Sequence, residues 1–413
     1  MGNRPLWGKG FLLGKIDAYI LQGVAQEIFI RNMPGIPVTE NAPRICGCHT
    51  FRVPGSDVSL RINKTDKTVF YSGLQTCGSV WACPVCARKI TQGRADEIRQ
   101  AIDIFKNRKP GGFVGMLTLT IPHDKGQSFE TVRDRLQKGL RDMKRAKSRR
   151  RRTWGDLGVF HTITGIEPVY AERNGWHIHY HILVFFESAP DLADIKGVIV
   201  DEWIRYAGQG LSEKKKADMA DHAVDLVPVK SWNDYLTKLS QQKASDSEIA
   251  LCRQAFKNSW QINHEIALAH VKKGRTGSLS PFDMLRLIAS LSPFDPDYKR
   301  VRDHYEKLFY EYAQAQKGRR YVYFSKGFKE WLGLADKDDS EILTEQEAKE
   351  MKESEHVATI PAAEWQEILS QGWRGQLLWL ISEGLDYPTA MKKLRAEALS
   401  GRPQTHKRRR LAA

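Results

Sequence analysis

A chain of 413 residues is longer than a single domain usually is, so two or three domains are expected, each able to bury its own core. A hydrophobic fraction of 41% with 27% charged residues is that of a globular protein, and no apolar run approaches the roughly eighteen residues of a membrane span, which excludes a helical membrane protein. Sixty-four Lys and Arg against 49 Asp and Glu leave a formal charge of +15, which suits a polyanionic partner because phosphate contacts release condensed counterions.

Residues 1–43 read as an irregular or partly helical arm ending in a Pro/Gly-rich linker, Asn32-Met33-Pro34-Gly35-Ile36-Pro37. The arm shows no clean apolar stretch and no small-residue cleavage site, so the protein is expected to stay in the cytoplasm. Residues 44–108 form a cysteine-rich segment and a helix. Five of the six cysteines fall at positions 46, 48, 77, 83 and 86, and in a reducing compartment such crowding suggests metal ligation rather than disulfides. Cys83-Pro84-Val85-Cys86 has the form of a zinc knuckle, and spacing alone lets Cys46, Cys48, Cys77 or His49 complete a tetrahedral set. Ala87 to Asn107 carries apolar residues at helical spacing and is stopped by Lys109-Pro110-Gly111-Gly112.

Residues 109–245 alternate strands and helices. Phe113 to Ile121, Val159 to Tyr170 and Trp176 to Phe186 read as strands, the last two joined by the hairpin signal Glu172-Arg173-Asn174-Gly175. Helices are expected over about 129–147, 191–206 and 231–243, with a short strand from His222 to Val229. Hairpin-paired strands with intervening helices predict an α+β domain on a mainly antiparallel sheet. A basic loop, Lys144 to Arg152, carries seven positive charges and no negative one, with Arg149, Arg150, Arg151 and Arg152 as candidate phosphate contacts. Residues 246–334 read as a helical extension, with helices over 248–262, 281–291, 298–316 and 325–332, in which Cys252 is a packing residue. Residues 335–413 begin with an acidic stretch, Asp336 to Glu355, of nine acidic residues against three lysines, read as a solvated helix or linker. A small helical unit over about 362–399 and a basic tail, Lys407 to Arg410, close the chain.

Two constellations carry chemistry. His177-Ile178-His179-Tyr180-His181 places three imidazoles at alternating positions of a strand, hence on one face, where a rigid sheet can hold a divalent metal. Glu167 lies on the neighbouring strand. Trp232-Asn233-Asp234-Tyr235-Leu236-Thr237-Lys238 then puts Tyr235 and Lys238 one helical turn apart. A phenol ordinarily ionises near pH 10, so Tyr235 needs a cation or base to become a nucleophile, and Lys238 is placed to help.

In that order, Gly115-Met116-Leu117-Thr118-Leu119-Thr120, the histidine row with Asn174-Gly175-Trp176 before it, and Asp234-Tyr235-Leu236-Thr237-Lys238 resemble the three motifs of rolling-circle plasmid replication initiators in the HUH endonuclease superfamily. Arg44-Ile45-Cys46-Gly47 with Thr76 to Cys86, Gly277 to Leu285, and Lys317 to Gly327 resemble further family segments, so the likeness runs from about residue 44 to 334. The resemblance implies a five-stranded antiparallel palm on which His179 and His181 bind Mg²⁺ or Mn²⁺, with Glu167 or His177 completing the set. It implies Tyr235 as a single catalytic tyrosine forming a 5′-phosphotyrosyl bond, assisted by Lys238, and a structural Zn²⁺ on Cys46, Cys77, Cys83 and Cys86. No second tyrosine lies near Tyr235, so termination needs an activated water. Some relatives place a glutamate four residues before the tyrosine, where this chain has Ser231, which leaves Asp234 and Asp225 as substitutes. The partners implied are origin DNA, as duplex or hairpin and as single strand, with a host helicase, polymerase and single-strand-binding protein. A single-strand transposase of the same superfamily and a non-catalytic origin-binding regulator are the alternative readings.

Overall fold

The computed structural model of the chain describes residues 15–33, 42–145, 154–229 and 277–399. The helices expected over 231–243 and 248–262, with Tyr235, Lys238 and Cys252, lie outside the described residues. So do Arg149 to Arg152 and the Lys407 to Arg410 cluster.

Among the described residues there are thirteen helices and two antiparallel sheets, an α+β architecture. The larger sheet has the order β6-β3-β5-β4-β7, with β3 at Phe113–Leu119, β4 at Val159–Ala171, β5 at Gly175–Phe186, β6 at Val224–Pro228 and β7 at Val322–Phe324. The hairpin between β4 and β5 turns at Gly175, whose φ of +80° and close approach to the Lys125 backbone exclude a side chain: a Cβ there would lie 2.9 Å from the Lys125 Cα.

Strand β5 is central, and its period of two sorts the core into two layers. Trp176, Ile178, Tyr180, Ile182 and Val184 are buried on one face. Helices α4 (Phe129–Arg145) and α5 (Leu192–Ala207) cover that side, with Phe129 edge-on to Trp176 at 5.0 Å and Trp203 Nε1 donating to the Thr120 carbonyl at 2.7 Å. The opposite face carries the histidines at one end and Leu183 and Phe185 at the other. Phe105 of α3 (Pro84–Arg108) and Phe328 of α9 (Phe328–Leu332) pack on Phe185 at 4.9 and 4.7 Å, so only the histidine end stays free of that apolar cover.

The second sheet, β2-β1-β8, joins β1 (Val58–Asn63) and β2 (Val69–Ser72) to β8 (Ser354–Ile360), nearly three hundred residues further along the chain. The N-terminal arm contributes a regular helix, α1 (Lys15–Arg31), whose Ala18, Leu21, Ala25 and Ile28 are buried. A short helix, α2 (Arg44–Gly47), opens the cysteine segment. Of the helices after β5, α6 spans Glu213–His222, α7 Pro281–Ser290 and α8 Tyr298–Ala315. The acidic stretch folds as α10 (Asp339–Lys352), started by the capping box of Asp338 and Glu341. It lies on α3 through ion pairs: Lys89 meets Glu347 at 3.1 Å and Glu350 at 3.2 Å, and Arg94 meets Asp339 at 2.7 Å. The C-terminal helices are α11 (Ala362–Ser370), α12 (Arg374–Ser382) and α13 (Tyr387–Leu399).

Candidate metal centres on the sheet and in the cysteine segment

Antiparallel register sets the first group. Glu167 on β4 stands opposite His179, and Thr118 on β3 stands opposite His181, so all four side chains share the free end of one sheet face. His181 is 7% exposed and held from both sides: Nε2 lies 2.7 Å from Glu167 Oε2 and Nδ1 lies 3.2 Å from Thr118 Oγ1. His179 Nδ1 lies 3.6 Å from the same carboxylate oxygen. One ligand atom from each of Glu167, His179 and His181 falls within 4.8 Å of the others.

This donor set fits a divalent cation. His179 Nδ1 is buried with no hydrogen-bond partner, and two imidazoles facing one carboxylate are an N₂O set of the kind such cations use. The Thr118 hydroxyl on the far nitrogen of His181 fixes that ring's orientation, as outer-shell groups do for metal ligands.

His177 stands beside this group rather than within it. Its ring is edge-on to His179 at 4.2 Å, and its Nδ1 lies 3.3 Å from His123 Nδ1. Burial, reinforced by the neighbouring His179 and His123, pushes His177 down to about 3, so it is neutral at physiological pH; burial also lowers His123. Of the two residues offered as a third ligand, the structure therefore gathers Glu167 with the histidines and pairs His177 with His123. An open cleft of about 610 Å³ begins at this pair and carries Lys125, Arg173 and Lys215 on its walls, the last tied to Asp124 at 2.8 Å. His123 is a site residue that sequence reading missed. It follows β3 in a polar turn, and its approach to His177 depends on tertiary contact.

The second group is Cys48, Cys77, Cys83 and Cys86, all buried, with one sulfur from each within 4.8 Å of the rest. The Sγ separations are 3.7 Å for Cys48–Cys83, 3.6 Å for Cys48–Cys86 and 3.7 Å for Cys77–Cys86. Four sulfurs at about 2.3 Å from a tetrahedral Zn²⁺ would be about 3.8 Å apart, so the spacing fits zinc and not disulfides, and all five described cysteines are free. Burial pushes the Cys48 thiol well above its ordinary range, whereas hydrogen bonds from the neighbouring thiols draw Cys83 and Cys86 below theirs.

Cys48 takes the position that the resemblance gave to Cys46. Cys46 lies inside the single turn of α2, whereas Cys48 follows its end in extended backbone, and side chains two apart at such a turn do not converge on one point. His49 then adopts a φ of +51° and directs its own ring to the Tyr19 hydroxyl, 2.9 Å from Nδ1. Backbone N–H groups support the sulfurs, with Cys77 N donating to Cys48 Sγ at 3.3 Å and Ser79 N to Cys77 Sγ at 3.4 Å.

Fold and side chains together define an α+β protein with two groups of side chains able to hold a metal ion, one enclosed and one beside a cleft. In sequence, the chain is similar to "Protein rep" of Streptomyces lividans, 26% identical over 66% of this chain and 67% of that protein. It is also 27% identical to "Neomycin resistance protein" of Streptomyces cyanogenus, over 27% of this chain and 30% of that one, so the likeness spans under a third of the second relative. No family model matches the chain, and no solved structure matches it. Among the described residues no helix is long and apolar enough to cross a membrane.

Proposed function

We propose that this chain is a replication initiator that nicks one DNA strand at a plasmid origin and later rejoins it. The observation that carries the reading is the convergence of Glu167, His179 and His181 beside an open cleft whose walls carry Lys125, Arg173 and Lys215 as well as Asp124 and Asp218, in a chain similar to a rep protein. The order of the sequence motifs supports Tyr235 as the nucleophile, of the single-tyrosine HUH type.

In this mechanism the Tyr235 oxygen attacks the scissile phosphorus as Lys238 eases removal of the phenolic proton. The phosphorus–O3′ bond breaks, the 3′ oxygen takes up a proton, and the strand is left with a 5′-phosphotyrosyl end and a 3′-OH primer for a host polymerase. The ester keeps the energy of the bond, so rejoining runs the same exchange backwards. Glu167, His179 and His181 would hold Mg²⁺ or Mn²⁺, which when bound neutralises charge on the phosphate oxygens. Cys48, Cys77, Cys83 and Cys86 would hold a structural Zn²⁺. For the water of termination Asp225 is favoured, because it stands across from Thr118 in the row that continues to His181. The cations of the cleft suit the phosphates of single-stranded DNA, and Arg149 to Arg152 add salt-dependent affinity that is largely independent of sequence. A helicase and a single-strand-binding protein of the host would act with it.

Incubation with supercoiled plasmid bearing the cognate origin and Mn²⁺ tests this. The expected result is a nicked circle covalently linked to the protein, absent in Tyr235→Phe. Equal nicking by Tyr235→Phe rejects the nucleophile, origin binding with no adduct under any metal supports the regulator, and joining to an unrelated target strand supports the transposase.

A further inference from the structure

Arg374, the first residue of α12, is 8% exposed, yet its guanidinium donates to neutral oxygens among the described residues. Nη1 donates to Gln22 Oε1 at 2.9 Å and to the His49 carbonyl at 3.1 Å, and Nη2 donates to Gln26 Oε1 at 2.8 Å. Both glutamines relay these contacts to the cysteine segment. Gln22 Nε2 donates to Cys83 Sγ at 3.2 Å, and Gln26 Nε2 donates to the carbonyls of Ile45 at 3.0 Å and Cys48 at 2.9 Å. Two further cations near the cluster, Arg88 and Lys89, do have carboxylate counter-charges, Glu350 for the first and Glu347 with Glu350 for the second.

A buried guanidinium without an anion is costly, and burial alone draws the Arg374 pKa down. The missing anion is at hand: four thiolates around one Zn²⁺ carry two excess negative charges, and Cys83 is one hydrogen-bonded relay from Arg374. Four neutral thiols offer no such charge. We propose that Arg374 is the buried counter-charge of the zinc-loaded cysteine cluster, so that zinc binding in the N-terminal half and docking of residues 354–399 stabilise each other. The inference rests on reading the cluster as a zinc site.

The surroundings of Arg374 give the docking its structure. Gly375 lets α12 approach α1 so closely that a Cβ would lie 2.7 Å from Ile20 Cγ1. The Tyr71 hydroxyl donates to the Arg374 carbonyl at 2.9 Å, Trp365 Nε1 donates to the Thr50 carbonyl at 3.0 Å, and β8 extends the sheet of β1 and β2. Every one of these contacts crosses from the C-terminal segment to α1 or the cysteine segment. Linkage then makes the coupling reciprocal: whatever zinc adds to docking, docking adds to zinc affinity.

Full-length protein loaded with zinc tests it in three steps. Native mass spectrometry counts bound zinc, and a wild-type chain that takes up none overturns the zinc reading itself. If zinc is bound, competition with a chromogenic chelator is expected to show Arg374→Met losing affinity about 10- to 100-fold, the range for groups that support metal ligands, with a smaller loss for Arg374→Lys. Unchanged affinity in Arg374→Met, or equal losses in both variants, overturns the counter-charge. Hydrogen exchange on the wild type needs no variant to fold: stripping zinc is expected to deprotect β8 and α12 at least tenfold more than β3 and β5. No change, or a uniform change, overturns the coupling.

Discussion

The cysteine cluster and the histidine face are both assembled from metal-ligand side chains, but they are built to opposite plans. The four sulfurs are buried, their supporting N–H groups and Gln22 are local or packed upon them, and ligands from one short segment fill all four corners. The histidine face supplies three protein ligands from two strands, leaves His179 Nδ1 unpartnered, and adjoins a cleft. A closed four-coordinate set spends its metal on folding, and an incomplete set leaves coordination positions for a substrate. The function proposed above assigns stability to the four-ligand set and chemistry to the three-ligand one.

The comparison breaks most visibly if the closed site proves dispensable. Cys83→Ser is expected to abolish zinc retention and to lower the melting temperature by more than about 10 °C, because metal binding at such sites is folding free energy, about 10 kcal/mol or more in small domains. Calorimetry with zinc content measured on the same sample checks it, and a normal melt without zinc removes the structural role. His179→Ala should do the reverse. Its melt should stay within a few degrees of wild type, while origin nicking in Mn²⁺ falls about a hundredfold or more. Thr118→Val sharpens the contrast further, because it removes the hydroxyl that orients His181 and leaves every ligand in place. The Mn²⁺ concentration needed for half-maximal nicking should rise about tenfold, with the full rate recovered at saturating metal; a lost rate that metal does not restore would assign Thr118 a direct role.

How far these sites could be read from sequence follows the range of the interactions that make them. Strands β3, β4 and β5 were legible because alternation and the Asn174-Gly175 turn are local signals, and the observed hairpin turns at that glycine. Alternation likewise put His177, His179 and His181 on one face, and placed Glu167 on the adjoining strand. Which carboxylate or imidazole joins the group depends on register, a tertiary property, and that is why the sequence presents Thr118 only as part of a motif, without a role, and does not single out His123. Cys48 was allowed by spacing, but the choice between it and Cys46 turns on where a single helical turn ends. The β2-β1-β8 sheet was illegible in the same sense: Val58–Asn63 is short, and its partner Ser354–Ile360 is separated from it by most of the chain. The acidic charges of α10 suggest solvent, and Glu341 and Glu345 do face it; Glu347, Glu350 and Asp339 instead meet basic residues of α3, pairings visible only once the helices are packed.

The smallest effect comes from a residue in neither site, and it isolates the sheet half of the molecule. Lys144, near the end of α4, donates from Nζ to Thr162 Oγ1 at 3.4 Å and lies 5.5 Å from the centre of the Trp154 ring. Burial holds its amine down to about 8. The folded state therefore releases this proton near pH 8, and the unfolded state keeps it until about 10.4. Between those values the unfolded chain binds more protons, so stability rises with pH; below pH 8 both states are charged and the slope vanishes. Partial exposure keeps the gain to about 1–2 kcal/mol. Urea unfolding followed through the sheet from pH 7 to 10.5 should show this rise in wild type and lose it in Lys144→Met, which should also be more stable than wild type at pH 7. An unchanged slope in Lys144→Met places the titration elsewhere, and a slope that disappears when zinc is stripped would mean that the two halves do not unfold independently.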